Sequence, residues 1–296
     1  MPMSLGRHMP LESRPVRALQ TAREIGCEAV QIFVSSPRVW AAPREDAKDT
    51  AALVEALQGF APVVIHAAYL INCASSNPET RAKSARLLRW TLERGATIGA
   101  TDVVFHIGSH GGDGMATGVE RLGEALHAIA TELPPGPRLL LENDVGAGNT
   151  IGSDFAAMAQ VLAEARGDWG DRLGVCLDTA HLWGAGHDIG TPEAARTTLG
   201  RIDAAFGLDQ VHVIHLNDTV TALGGHRDLH ARLGEGIIGA EGLRVFLTDT
   251  RLVQAGIILE TPIKLRDGTD EHDWEDDRQR ITYARDLTLS TEKSGL

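Results

Sequence analysis

The strongest constraint on the fold is a regular alternation of short apolar runs with longer amphipathic segments. The runs are rich in Val, Ile and Leu without clean alternation, which is typical of strands buried on both faces of a parallel sheet. A weaker run lies at about Met3–His8. The clear runs predict strands at Ala29–Val34, Pro62–His66, Asp102–Ile107, Arg138–Glu142, Leu173–Leu177, Val211–Leu216 and Ile257–Glu260.

Helix-like segments separate these runs. Asn77 and Ser153 each precede an acidic first turn, so we expect them to cap helices. Eight β-then-α units of this length predict an α/β fold, a closed (β/α)8 TIM barrel. An open doubly wound sheet is the alternative, but no Gly-rich phosphate loop follows an early strand. The predicted helices are Pro15–Ile25, Asp46–Gln58, Asn77–Ile98, Gly118–Glu132, Ser153–Ala165 and Thr191–Phe206.

The chain shows no linker or internal repeat, so we expect one domain over residues 1–296, with short tails at about 1–3 and 289–296. Its 28 Lys and Arg against 40 Asp and Glu give a formal net charge of −12. That charge alone disfavours a nucleic-acid partner. The 3 cysteines are too few for a disulfide framework and predict a cytoplasmic location. No apolar run approaches the roughly 20 residues of a membrane helix, so we expect no membrane partner.

Metal-capable side chains stand at or just after the carboxyl end of almost every predicted strand from the third onward. Those that end five successive strands are 40, 36, 36 and 37 residues apart, about one βα unit each. In a barrel these ends meet at one rim, which carries the active site. The set is His66, His106, Glu142, Asp178, His181, His215, Asp228, His230 and Glu260.

This set predicts a metal centre. Four carboxylates crowded at one rim repel one another or take up protons unless cations offset their charge. The mixture of imidazole and carboxylate favours zinc, manganese or iron over calcium or magnesium. Nine ligands exceed the need of one ion, so they suit two or three ions.

The other histidines give weaker signals. His110, His187 and His226 lie in segments within reach of the rim and are candidates for contacting substrate or orienting ligands. We expect structural or solvated roles for the remaining four, His8, His127, His212 and His272.

Several of these segments also carry a family resemblance. They include His66-Ala67-Ala68-Tyr69-Leu70, Asp178-Thr179-Ala180-His181 and Leu259-Glu260-Thr261-Pro262, and the matches run in order from about residue 29 to 262. On these motifs the chain resembles the endonuclease IV family of apurinic/apyrimidinic endonucleases, zinc-dependent DNA-repair enzymes on a TIM barrel.

The resemblance implies a site of three zinc ions, with manganese as an alternative at one position. One ion would be held by His66, His106 and Glu142, and a second by Asp178, His215 and Glu260 with Glu142 bridging. The third would be held by His181, Asp228 and His230.

The resemblance also implies an activity: hydrolysis of the phosphodiester bond 5′ to an abasic site in duplex DNA, leaving a 3′-hydroxyl, together with removal of blocked 3′ ends. Glu142 and Glu260 would be catalytic, bridging ions or orienting water. Arg38, Tyr69 and Leu70 would contact damaged DNA, the last two as wedges in the base stack. We expect a monomer.

The chain departs from the family pattern at several positions. Leu229 replaces an Arg between Asp228 and His230, and Val220 replaces a Lys. Ile107 replaces a common Pro, and the opening motif reads Gly6-Arg7-His8-Met9. The first two changes remove cations near the phosphate. Three Zn²⁺ would add 6 to the charge of −12, giving −6, with the positive potential concentrated in the metal cleft.

Two other classes stay open at this point. A metal-dependent sugar isomerase or epimerase uses one or two ions at the same rim of a similar barrel, so metal content separates it from the nuclease. A non-catalytic protein that binds DNA or a phosphate ligand through its metal cluster would bind abasic sites without turnover.

Overall fold

Eight parallel strands close into a barrel in the computed structural model, which describes residues 3–10, 14–44 and 46–289. Strand β10 pairs with both β7 and β1 and so completes the ring, and β8 and β9 form a small antiparallel hairpin after β7. The predicted TIM barrel is confirmed. The strands are β1 Leu5–Met9, β2 Ala29–Ile32, β3 Val63–His66, β4 Asp102–His106, β5 Arg138–Glu142, β6 Leu173–Asp178, β7 Val211–His215, β8 Asp218–Thr219, β9 His230–Ala231 and β10 Gly256–Leu259.

Six helices in the described part of the chain match predicted segments, whereas α6, α8 and α9 were not predicted. Helix α6 is a single turn, and α9 opens with a run of charged residues that hides its apolar positions. No helix within the described ranges is both long and apolar enough to cross a membrane. The helices are α1 Pro15–Glu24, α2 Ala47–Leu57, α3 Pro78–Ile98, α4 Met115–Glu132, α5 Phe155–Trp169, α6 Thr179–Gly184, α7 Pro192–Phe206, α8 Ala240–Thr248 and α9 Trp274–Leu289.

The ends of the elements follow local chemistry. Asn77 caps α3 as predicted, since its side chain accepts from the backbone N–H of Glu79. The predicted Ser153 cap was wrong: Asp154 caps α5 and accepts from Ala156 N at 2.8 Å. An ionised carboxylate at this position also favours the positive end of the helix dipole. The weak first strand starts two residues later than predicted, at Leu5, and most of the predicted tail residues lie outside the described ranges.

A separate apolar layer fills the barrel interior below the rim. Its members are fully buried and come from seven strands, one residue each, and Gly6 of β1 lies level with Ala29 of β2. A Cβ on Gly6 would overlap the backbone carbonyl of Ala29, so only glycine allows β1 and β2 to approach this closely. The layer is Ala29, Val64, Val104, Leu140, Cys176, Val213 and Ile258.

Candidate metal centre

A ring of polar side chains lies directly above the apolar layer. Side chains alternate faces along a strand, so the residue two positions beyond an inward-facing residue also points inward. That step leads from Val64 to His66 and from Ile258 to Glu260, and from Gly6 it leads to His8. The inward-facing positions two residues beyond the apolar layer therefore form a second, polar layer at the bottom of the site. The polar ring is His8, Gln31, His66, His106, Glu142, Asp178, His215 and Glu260.

Three groups of metal-capable side chains lie in and beside this ring, each with its ligand atoms within 4.8 Å of one another. The first is His66, His106 and Glu142. Both imidazoles place Nε2 3.3 Å from Glu142 Oε2. That oxygen is buried and has no hydrogen-bond partner among the described residues. An ionised buried oxygen facing two ring nitrogens is what a metal ion would satisfy.

The second group is Glu142, Asp178, His215 and Glu260. His215 Nδ1 lies 2.9 Å from Glu142 Oε1, 3.3 Å from Glu260 Oε2 and 3.8 Å from Asp178 Oδ2. Glu142 thus offers one carboxylate oxygen to each of the first two groups. Glu142 is the residue for which the resemblance implied a bridging role.

The third group is Asp178, His181 and His230. His181 is the third residue of α6, and its N–H donates to the Asp178 carboxylate that caps that helix. The hairpin brings in His230, and Asp228 lies 3.0 Å from His230 Nε2 and 3.4 Å from His181 Nε2. The structure therefore adds Asp178 to the set His181, Asp228 and His230 inferred from sequence, as a second shared carboxylate.

Backbone carbonyls fix the orientation of three of these imidazoles. Nδ1 of His66 donates to Ala67 O at 2.7 Å, and Nδ1 of His181 donates to Asn143 O at 2.8 Å. Nδ1 of His230 donates to Glu260 O at 3.2 Å. A carbonyl only accepts, so the hydrogen is on Nδ1 and the lone pair is on Nε2. Nε2 of His230 is buried without a hydrogen-bond partner in the described chain. The residues present therefore fit divalent metal ions that bind imidazole nitrogen and carboxylate oxygen.

The charges of these side chains are strongly coupled. Burial raises the pKa of Glu142, but the imidazoles of His106, His215 and His66 outweigh burial and hold that pKa well below its ordinary value. Burial lowers the pKa of His181, whereas Asp178, Asp228 and Glu142 raise it well above its ordinary value. Carboxylates packed this closely repel one another unless positive charge offsets them, and bound metal ions would supply that charge in place of protons.

An open cleft of about 450 Å³ lies over the ring. Its walls combine the ligand side chains with apolar groups, among them Phe33, Ile263 and Tyr69, which is 51% exposed. Phe33 packs edge-on against Tyr69 with ring centres 5.5 Å apart. The cleft opens to solvent.

Comparison with known proteins decides the family. A family model described as Xylose isomerase-like TIM barrel matches residues 19–284. "Probable endonuclease 4" of Halothermothrix orenii is 37% identical over 88% of this chain and 94% of its own length. "Probable endonuclease 4" of Natranaerobius thermophilus is 39% identical over 90% of this chain and 93% of its own length. The chain belongs to the endonuclease IV family.

Solved structures agree with the assignment to endonuclease IV. The crystal structure of endonuclease IV from Thermus thermophilus has a TM-score of 0.80 and 35% identity, and covers 96% of this chain and 98% of that one. A D-tagatose 3-epimerase-like protein has a TM-score of 0.71 at 18% identity, a likeness in fold alone. Membership confirms the family predicted from the motifs and the expectation of a hydrolase.

Two rim loops of this chain carry the residues expected to contact DNA. Arg38 is exposed in the β2–α2 loop, and Tyr69 and Leu70 lie in the β3–α3 loop. The N–H of Tyr69 donates to Pro37 O at 3.0 Å, which ties the two loops together. Leu229 and Val220, where the family pattern has cations, are 42% and 60% exposed at the rim.

The remaining histidines of the chain divide by location. His110 Nδ1 accepts from two loop glycines, His187 Nε2 donates to Ser153 O, and His226 Nδ1 donates to Val145 O, so these contacts stabilise loops. His8, for which a structural or solvated role was expected, belongs to the polar ring and lines the cleft. His8 and Gln31 are the site residues that the pattern of strand ends missed, and the two-residue step from the apolar layer is the signal that finds them.

Proposed function

We propose that this protein is a DNA-repair endonuclease that cleaves the phosphodiester bond 5′ to an abasic site and leaves a 3′-hydroxyl. The observation that carries the proposal is three ligand groups on the floor of one cleft, joined through Glu142 and Asp178. An arrangement of this kind suits an anionic diester, because charge on the attacking, leaving and nonbridging oxygens must all be offset.

Three zinc ions are the proposed cofactors, with manganese as the alternative at one position. His66, His106 and Glu142 would hold the first, and Glu142, Asp178, His215 and Glu260 the second. His181, Asp228 and His230, with Asp178 in reach, would hold the third. When bound, such ions supply Lewis acidity that activates water near neutral pH and offsets phosphate charge.

The protein's own groups would position the substrate. Glu142 and Glu260 are the proposed catalytic carboxylates, since both face His215 at the centre of the ring and Glu260 also lines the cleft. Tyr69 and Leu70 would enter the base stack, and Arg38 would assist from the adjacent loop. A nucleotide without a base costs less to extrude than an intact one, which favours abasic sites.

The proposal includes removal of blocked 3′ ends, which the resemblance to the endonuclease IV family implies. We also propose that the chain acts as a monomer of one barrel domain in the cytoplasm. The three cysteines, Cys27, Cys73 and Cys176, are buried and free, which fits a reducing compartment.

A nicking assay on a duplex with one central abasic site, combined with metal analysis, tests the proposal. Zinc-loaded protein is expected to cut 5′ to the lesion and to contain three zinc ions per chain. Glu142→Ala and His66→Ala are expected to lose both properties, and Glu164→Ala on the exposed surface of α5 to keep them. No cleavage contradicts the proposal, and a single manganese or cobalt ion per chain both contradicts it and favours a sugar isomerase or epimerase.

A further inference from the structure

Gln31 connects three other members of the polar ring. It is fully buried on β2. Its Nε2 lies 2.6 Å from Glu260 Oε1 and 2.9 Å from His8 Nδ1, and its Oε1 lies 2.8 Å from His215 Nε2. Both ends of the amide are therefore engaged, although Gln31 belongs to none of the three ligand groups.

The orientation of this amide follows from Glu260. An ionised carboxylate only accepts hydrogen bonds, so the group 2.6 Å from Glu260 Oε1 must be the amide NH₂ of Gln31. The amide oxygen then faces His215 Nε2 at 2.8 Å and accepts its hydrogen. With that hydrogen on Nε2, the lone pair of neutral His215 is on Nδ1, the nitrogen that a metal ion in the second ligand group would bind.

The second hydrogen of the Gln31 NH₂ reaches His8. It donates to Nδ1, so neutral His8 carries its own hydrogen on Nε2. Nε2 of His8 is buried and has no hydrogen-bond partner in the described part of the chain, while the His8 side chain lines the cleft. One amide thus determines which ring nitrogen of two histidines bears the hydrogen.

We infer that Gln31 is a positioning residue that fixes the tautomers of His215 and His8 and the rotamer of Glu260. The inference deepens the proposed function, on which the metal role of His215 rests. Its prediction about tautomers, however, does not depend on cleavage of DNA.

Nitrogen-15 NMR of the full-length zinc-loaded protein with labelled histidine tests this role. In the wild type we expect hydrogen on Nε2 of both His215 and His8. In Gln31→Glu the carboxylate accepts from both rings, so the hydrogen of His8 moves to Nδ1. In Gln31→Met, which is similar in shape but apolar, His8 becomes a mixture of tautomers, and zinc binds about 10- to 100-fold more weakly at one position in both variants.

Gln160→Met serves as the control, because its amide donates to Glu164 on the exposed surface of α5. It should change neither the imidazole spectra nor zinc binding. An unchanged His8 tautomer in Gln31→Glu overturns the inference, as does unchanged zinc affinity in both variants. A tautomer shift in a protein that fails to nick abasic DNA supports the positioning role and rejects the nuclease instead.

Discussion

Asn217 contacts two residues of the second ligand group, Asp178 and Glu260, from a fully buried position after β7. Its Nδ2 donates to Asp178 Oδ2 at 2.6 Å, and its Oδ1 accepts from the N–H of Glu260 at 2.9 Å. One side chain thus sets the spacing between ligands from β6 and β10. Groups that orient ligands in this way tune metal affinity without touching the metal.

Asn217→Ala should weaken zinc binding about 10- to 100-fold, because Asp178 loses the donor that orients it. It should also lower the free energy of unfolding by about 1–3 kcal/mol, since a buried N–H of Glu260 is left without its acceptor. Competition with a chromogenic chelator and urea denaturation measure the two effects. Asn77→Ala, which removes only the cap of α3, should cost about 1 kcal/mol and leave zinc binding unchanged. Equal zinc affinity in the two variants would show that Asn217 does not orient ligands.

Leu229 stands between the ligands Asp228 and His230, at a position where the family pattern has an Arg. Leu229→Arg should tighten binding to abasic duplex and steepen its salt dependence by about 0.9 in the log–log slope, the effect of one added phosphate contact. Fluorescence anisotropy over a series of salt concentrations measures the slope. Val253→Arg provides a charge-matched control, because Val253 is 41% exposed just before β10, at the opposite end of the barrel. Identical slopes for the two variants would place Leu229 away from the DNA.

The ligand positions could be predicted from sequence because histidines and acidic residues stand out when they recur once per βα unit. Gln31 and His8 could not be found that way. An amide carries no charge to mark it, and β1 contains an Arg and a His that hide its strand pattern. Their roles follow only from register, which places the eight inward-facing positions at one height.

At the scale of elements, the close contact between β1 and β2 depends on Gly6, which has no side chain. Gly6→Ala places a methyl group against the Ala29 carbonyl, and strands at fixed hydrogen-bonding distance cannot separate to admit it. We expect a loss of about 3 kcal/mol or more in the free energy of unfolding, measured by chemical denaturation. Gly200→Ala on the exposed face of α7, where a Cβ meets nothing within 4 Å, should instead gain about 0.5–1 kcal/mol. A mild effect for Gly6→Ala would mean that the strands can shift apart.

Some elements were beyond the reach of sequence patterns for a physical reason. Helix α9 opens with Trp274-Glu275-Asp276-Asp277, yet Asp276 and Asp277 are buried. Polar residues that are buried because they have partners elsewhere in the chain break the hydrophobic period on which helix prediction depends. One partner of Asp277 is Arg7, which comes 270 residues earlier.

At the scale of the molecule, the Arg7–Asp277 ion pair joins the first strand to the last helix. Both side chains are nearly inaccessible, at 3% and 2%. Arg7→Ala should lower the free energy of unfolding by about 3–5 kcal/mol, because Asp277 stays buried without its cation. Arg251→Ala, which removes the ion pairs of a half-exposed arginine with Asp203 and Asp249, should cost no more than about 1 kcal/mol. Denaturant midpoints compare the two, and equal losses would show that burial of the Arg7 pair has no energetic weight.

Because the barrel closes through the pairing of β1 with β10, the first strand to be synthesised pairs with the last barrel strand. During synthesis, β1 leaves the ribosome some 250 residues before the strand that covers its second edge. At about 5–20 residues per second, that edge stays unpaired for roughly 13–50 s. A nascent chain therefore exposes strand backbone capable of pairing with other chains until its last barrel strand emerges. Expression yield should accordingly depend on chaperone capacity during translation more than on the stability of the finished enzyme.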